Sequence, residues 1–307
     1  MNVRIPAGKL HRLAPLILVI VTTGCAIRVS EKRPVTPEQI RAAQTASKEQ
    51  LIAAYDAQAG AVHSINAAVE LMPVAGSTYS GLIEEYHDVS GFILAAQPEK
   101  IRVIGQAPVL AKNIFDMTSD GKVFRIFIPS KNTFLVGPTD LERTSDKPIE
   151  NLRPQHIIDA IFWPAVPAGQ PVLFEEAEAA PERYYVLTLL RPADADPEIA
   201  RKIWFDRADL RVWRVQIFGP GGRFDSDITY SDWQPAAASG AGTAAASGAG
   251  ILFPRTIHIR RPQQDYALTL SVTRLTLNAD IADDRFTLEQ PAGTELVRLE
   301  TPAQEHP

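Results

Sequence analysis

The sequence predicts a mainly β, α+β chain: one long N-terminal helix, then antiparallel strands interrupted by a second, short helix. Three observations predict it. From Ile65 onward, apolar residues recur with period two in short runs bounded by Gly, Pro and Asp-Gly signals, the pattern of half-buried strands joined by tight turns. Two segments, "TPEQIRAAQTASKEQLIAAYDAQAG" and "NLRPQHIIDAIFWP", instead carry helical spacing with start and stop signals. An apolar share of 45% over 307 residues is enough for a real core, and one β-rich domain of this length is ordinary.

The chain opens with Arg4, Lys9 and Arg12 and no acidic residue before Cys25. Leu13 to Val21 is apolar apart from Pro15, about half of what a membrane-spanning helix needs. Charge, length and the small residues Thr22, Thr23 and Gly24 match a secretory signal. The stretch "PLILVIVTTGC" resembles a bacterial lipoprotein signal, with Gly24 and Cys25 matching best and Thr22 standing where leucine is usual. The resemblance implies cleavage after residue 24 and lipidation, palmitate included, of Cys25, the only cysteine of the chain; a spare cysteine in an uncleaved anchor is the plainer alternative. One thiol leaves no disulfide framework within the chain. Ala26 and Ile27 follow, without the aspartate that retains many such lipoproteins in the inner membrane, so the expected address is the outer membrane, facing the periplasm. Residues 25–35 read as a lipidated tether, residues 36–300 as a single domain and residues 301–307 as a disordered tail.

Thr36, Pro37 and Gln39 form a helix-start signal, and Leu51, Ile52, Tyr55, Ala59 and Val62 recur at helical spacing, so the first helix is expected from about Pro37 to Gly60. Ile65, Ala67, Val69 and Leu71 then alternate along the first strand. "SGFILAAQ", "EKIRVIGQA" and "NIFDMTSDGKVFRIFIPSKNTFLVG" follow, with Ser119-Asp120-Gly121 turning one strand into the next. Pro154 can start the second helix and Pro164 stops it. Ile157, Ile158, Ile161 and Phe162 give that helix a compact apolar face. Further strands lie in "ERYYVLTLLRP", in "RKIWFDRADLRVWRVQIFGPGGRFDSDITYSDWQ", with turns at Asp209 and Gly219 to Gly222, and in "RTIHIRRPQQDYALTLSVTRLTLN". Between the last two lies "PAAASGAGTAAASGAG", residues 235–250, which has no large side chain to offset ordering entropy and is expected to be a flexible insertion.

Charge and motifs exclude several functions. The full chain carries a net charge of −5, and removing the signal takes away only basic groups, so the mature protein is acidic and unsuited to nucleic acid. The six histidines are scattered, with no ligand-like spacing, so no metal is expected. There is no Gly-x-Ser-x-Gly elbow and no phosphate loop. The pairs Asp194/Asp196 and Asp225/Asp227 lack calcium-loop spacing and read as solvated turns or strand edges, and His156 as a surface or boundary residue. The expectation is a protein that is not an enzyme and uses no cofactor.

Three stretches carry a family resemblance: "EKIRVIGQAPVLAKNIFDMTSDGKVFRIFIPSKNTFLVG", "IWFDRADLRVWRVQIFGPGGRFDSDITYSDW" and "LTLNADIADDRFTLEQPAGTELVRL". Strand, Asp-Gly turn, aromatic strand and Pro, then a Trp-Phe-Asp strand pair, then Asn, an apolar strand, Phe and Pro-Ala-Gly, are similar to the LolA/LolB-type lipoprotein carriers and their relatives. The resemblance implies a curved, half-open antiparallel β-barrel with the two helices plugging its mouth, and acyl chains of lipoproteins as ligands. The carriers' functional arginine and protruding apolar loop cannot be matched residue by residue here, so neither is carried over.

A barrel wall facing a cavity needs apolar residues on its concave side. Phe124, Ile126 and Ile128, then Ile203 and Phe205, then Trp213, Val215 and Ile217, then Leu268, Leu270 and Val272, supply such faces and are the candidate ligand-cavity residues. The same pattern fits a core filled by the helices, so cavity and packed core stand side by side. Two functions follow: an anchored module that binds lipid or a lipoprotein acyl chain, or a ligand-free assembly lipoprotein acting through envelope protein partners.

Overall fold

Helix α1 spans Lys48–Ala61 in the computed structural model, which describes residues 42–77, 82–85, 89–107, 112–141, 153–179, 182–192, 196–238 and 250–299. The signal segment, Cys25, the tether, Asp194, residues 239–249 of the insertion and the tail 301–307 lie outside the described residues. Helix α1 begins later than the expected Pro37. Its N-cap is Ser47, whose side chain accepts from Gln50 N while the Gln50 side chain accepts from Ser47 N, a capping box. The preceding residues are held in non-helical conformation by the turn after Asp206: Gln44 N donates to Arg207 O (2.6 Å) and Gln44 Nε2 to Ala208 O (2.8 Å). Those backbone groups are thereby satisfied without a helix, and Ala46 is buried.

Fifteen strands follow among the described residues, interrupted once by a helix. They are β1 (Ser64–Ser77), β2 (Leu82–Glu85), β3 (Val89–Ala96), β4 (Lys100–Gln106), β5 (Asn113–Ser119), β6 (Val123–Ile128) and β7 (Thr133–Pro138). Helix α2 (Pro154–Ile161) comes next, then β8 (Val172–Ala179), β9 (Glu182–Arg191), β10 (Glu198–Asp206), β11 (Val212–Phe218), β12 (Phe224–Ala238), β13 (Ile251–Arg261), β14 (Tyr266–Leu277) and β15 (Glu295–Arg298). All belong to one open sheet of order β15-β7-β6-β5-β4-β3-β1-β14-β13-β12-β11-β10-β9-β8, with β2 added beside β1. The expected antiparallel pairing holds through most of it. The exceptions are β15 on β7 and the end of β12 on β14, which are parallel.

The sheet curls around α2. That helix packs against β5 and β4 on one side and β13 on the other. In a flat sheet β5 and β13 would stand about 24 Å apart, five strand spacings, whereas an eight-residue helix is about 12 Å long. The concave face carries the core: Ile65, Ala67, Val69 and Leu71 of β1 all point into it, as the alternation predicts. Leu51, Tyr55 and Ala59 of α1, four residues apart, and Ile157, Ile158 and Ile161 of α2 close over it.

Two features of the sheet depart from the expected pattern. Strand β12 runs four residues into the Ala/Gly/Ser stretch: Ala236 pairs with Ile251 and is buried, and Ala237 and Ala238 pair with Thr276 and Leu277. Small residues here serve a strand. The segment after β14 crosses the convex face. Asn278, in the left-handed conformation that asparagine tolerates, accepts from His63 N and donates to Ala61 O at the end of α1. Lys100 then pairs with Asp283 (2.8 Å), Arg102 donates to Arg285 O, and β15 docks beside β7.

Candidate functional site

The candidate cavity residues divide into three groups. Phe124, Ile126, Ile128, Ile203, Phe205, Val215, Leu268 and Leu270 are buried on the concave face. Ile217 and Val272 are half-buried against the same core. Trp213 is elsewhere. A β-bulge opposite Trp204/Phe205 brings Val212, buried, into phase with Val215 and turns Trp213 to the outer face. There it stacks on Tyr184 (4.6 Å between centroids) and meets Trp204 edge-on, with the Arg214 guanidinium 5.8 Å from both indole rings. It also lines a cleft of about 400 Å³ with Tyr184, Tyr230 and Trp233.

Side chains of the two helices fill the concave face. Trp163, just past α2, stacks on Tyr55 of α1 at 5.4 Å and meets Tyr230 and Trp233 of β12 edge-on. Trp163 Nε1 donates to Tyr230 Oη (3.0 Å), which donates to Ala160 O (2.9 Å). Burial pushes the Tyr230 phenol well above its usual pKa, so it keeps its proton and its donor role. Arg201 Nη1 donates to Tyr55 Oη and to Pro164 O, both at 3.3 Å, and Asp56 accepts from Val166 N (2.8 Å). The C-terminal end of α2 is thus tied to α1 and β12. A hollow between the helices, lined by Ala59, Val62, Ile161, Phe162 and Phe253 among others, holds about 10 Å³, roughly the space of one water.

The N-terminal end of α2 is different. Pro154 takes the first helical position, and the N-cap residue Arg153 makes no side-chain cap. Its guanidinium is buried over the Phe124 ring, 4.7 Å from the centroid. A cleft of about 470 Å³ opens beside it, lined by α2, the end of β7 and the tips of the β11–β12 and β13–β14 hairpins. Arg153, Arg223 and Arg261 and the carboxylates Asp140, Asp159 and Asp225 face it, with Gln155, His156, Gln263 and Gln264 between them, and Ile217 gives it an apolar floor. Arg223 Nε binds Asp225 (2.7 Å), and Arg261 Nε donates to Gln264 Oε1 (3.1 Å). His156 Nδ1 is hydrogen-bonded to the Tyr266 hydroxyl. Burial, with Arg261 and Arg153 nearby, holds the imidazole well below its usual pKa, so it is neutral. His156 is half-buried and walls the cleft, a boundary position as expected, where its neighbours Ile157 and Ile158 pull this turn of α2 onto the core. Asp159 keeps an exposed edge toward the cleft, yet the protein crowded around it pushes its carboxyl up to about 6, against the pull of Arg261 and Arg201.

The other acidic pairs have structural surroundings. Asp227 is clamped on the outer face between Arg214 and Arg260, and Asp196 begins a short turn before β10. Among the described residues, no three His, Cys, Asp or Glu side chains converge as metal ligands. The charged cleft is what sequence reasoning missed: its residues come from four separate segments, a helix start and three stretches that look like ordinary turns in isolation.

The chain is similar in structure to a LolA superfamily protein from Nitrosomonas europaea, with 13% sequence identity and a TM-score of 0.45, over 80% of this chain and 99% of that one. It is also similar to a DUF1329 family protein from Desulfovibrio piger, with 12% identity and a TM-score of 0.47, over 77% of this chain and 94% of that one. No protein-family model matches the sequence, and no curated protein matches it.

Proposed function

We propose that the protein is a lipid-anchored carrier of the outer membrane, facing the periplasm, that holds a lipid or lipoprotein acyl chain against the concave face of its sheet when α2 lifts. The observation that carries this reading is the cover of the concave face. Among the described residues, a wall of apolar side chains from successive strands is closed by two short helices and by no second sheet, and α2, of eight residues, is the smaller of them. Its Ile157, Ile158 and Ile161 occupy the place that methylenes of a chain would take. The N-terminal signal supports the anchor: acylation of Cys25 gives stable attachment, since each buried methylene contributes about 0.8 kcal/mol.

A specific observation favours a second reading. Phe124, Ile203, Ile228, Ile257 and Ile259 have 0% exposure, so the concave face is packed as it stands, and a packed interior suits an assembly lipoprotein acting through envelope partners. Titration of a soluble form starting at Ala26 with a fluorescent acyl probe separates the two. Saturable binding, with lipid co-purifying in native mass spectrometry, is the carrier's outcome; no binding at all ends the carrier reading. The anchor is tested separately: Cys25→Ala should abolish labelling by a palmitate analogue, and undiminished labelling would refute it.

A further inference from the structure

We infer that the charged cleft at the N-terminal end of α2 binds a zwitterionic headgroup, a phosphate beside a primary ammonium, of an amine-bearing phospholipid whose chain enters the concave face. This rests on the acyl-chain reading above.

Three observations lead to it. First, Asp159 of α2 and Arg261 of β13 face the same cleft with opposite charges; Arg261 acts on Asp159 through its charge, and no hydrogen bond joins them among the described residues. Arg261 commits its Nε to Gln264 and lines the cleft. Second, Gln155 Oε1 is buried and has no hydrogen-bond partner among the described residues. Gln155 and Asp159 are four residues apart on one helix, so they share a face and present two acceptors to one donor. An ammonium, with three N–H bonds and no acceptor, suits that pair, and a guanidinium fork suits a phosphate across from it. A buried acceptor without a partner costs free energy, which a bound donor would relieve. Third, the cleft meets the apolar interior directly: Ile217 forms its floor, and Arg153 at its rim lies over Phe124. Its three arginines face three aspartates, which disfavours a purely anionic ligand and fits one that carries both signs. At about 470 Å³ it has the size of a small-molecule site.

The test uses the soluble form starting at Ala26 and short-chain lipids below their micelle concentration, read by displacement of the acyl probe. Dihexanoyl phosphatidylethanolamine should bind about tenfold tighter than dihexanoyl phosphatidylglycerol, the worth of one charge-assisted contact. Asp159→Asn should remove that preference and leave phosphatidylglycerol unchanged. Arg261→Gln should weaken both phospholipids about tenfold while dihexanoyl glycerol, which has no phosphate, binds as before. Equal binding of the three lipids by the wild type, unaltered in both variants, would overturn the headgroup site while leaving the chain reading intact. Failure of every lipid and of the probe would instead defeat the chain reading. Free O-phosphoethanolamine binding as tightly as the lipid would overturn the lipid assignment, because the tail would then contribute nothing.

Discussion

Weakening the plug should tighten the ligand. Ile158 sits on α2 with 4% exposure, packed into the concave face. Truncation to alanine in such a site costs about 2–5 kcal/mol through lost burial and the cavity left behind. If α2 lifts to admit a chain, Ile158 is in water in the open state, so that cost falls on the closed state alone. The open population then rises by about 30-fold for a loss of 2 kcal/mol. Apparent affinity scales with the population of the competent state, so the probe should bind about 30-fold tighter to Ile158→Ala, as long as the open state stays the minor one. Ile228→Ala is the matched control. Ile228 has 0% exposure but belongs to β12, which is present in both states, so its loss should lower stability without tightening the probe. Urea unfolding gives the stability of each variant and fluorescence titration the affinity. A loss of stability in Ile158→Ala with unchanged or weaker binding would refute the displacement of α2.

The remaining expectations concern the wall, the insertion and the outer face. Ile126 has 4% exposure, so Ile126→Trp should overpack the interior and lower stability by about 1–3 kcal/mol in urea unfolding; an unchanged midpoint would mean that the wall stands off from the helices. Replacing residues 239–249 by a two-residue turn should shift the melting temperature by only a few degrees, because closure entropy grows slowly with loop length. Extending the deletion through Ala236–Ala238 should cost clearly more, since Ala236 is buried and the next two residues pair with β14; equal shifts for both deletions would refute that strand extension. At Asp227 burial works to raise the carboxyl, but the hydrogen bonds from Arg214 and Arg260 outweigh it and hold its pKa below the ordinary value. A depressed folded pKa stabilises fully above the unfolded value, near 4, and that contribution is lost as pH falls through the folded pKa. Asp227→Asn should therefore lower stability by about 1–3 kcal/mol at pH 7 and converge on the wild type in acid; a deficit independent of pH would refute the linkage.

Much of the fold is legible because its signals are local. The alternation of β1 and β6, the Ser119–Gly121 turn, where Asp120 accepts from Lys122 N and Val123 N, and the prolines bounding α2 each lie within one stretch of chain. Features set by distant partners are not legible. Thr36 and Ser47 both precede a glutamine by three residues, and hydrogen bonds from Gln44 to the turn at 207–208 are what keep residues before Ser47 out of the helix. Strand β8 has no alternation to read, because as the edge of the sheet it leaves Leu173, Phe174, Glu175 and Glu176 all exposed. At Trp213 a single bulged residue reversed the phase of the pattern, a change that composition does not reveal.

The division between legible and illegible follows the division between wall and mouth. Apolar residues at period two specify a concave wall and are indifferent to what covers it, so cavity and packed core read alike in sequence. What covers it is decided by α2, where one short segment holds two chemistries. Ile157, Ile158 and Ile161 face the wall, while Gln155 and Asp159 face the cleft, and Gln155 Oε1 has no hydrogen-bond partner among the described residues. A helix serving only as a core element would gain by replacing a carboxylate whose ionisation its surroundings oppose, up to about 6, with a neutral group. Keeping that acid beside Arg261, at the point where the polar cleft meets Phe124 and Ile217, makes sense for a surface that receives a molecule with a charged head and an apolar tail. On the reading proposed above, the polar mouth and the apolar wall are two halves of one amphiphilic site, joined by the helix that has to move for the apolar half to be filled.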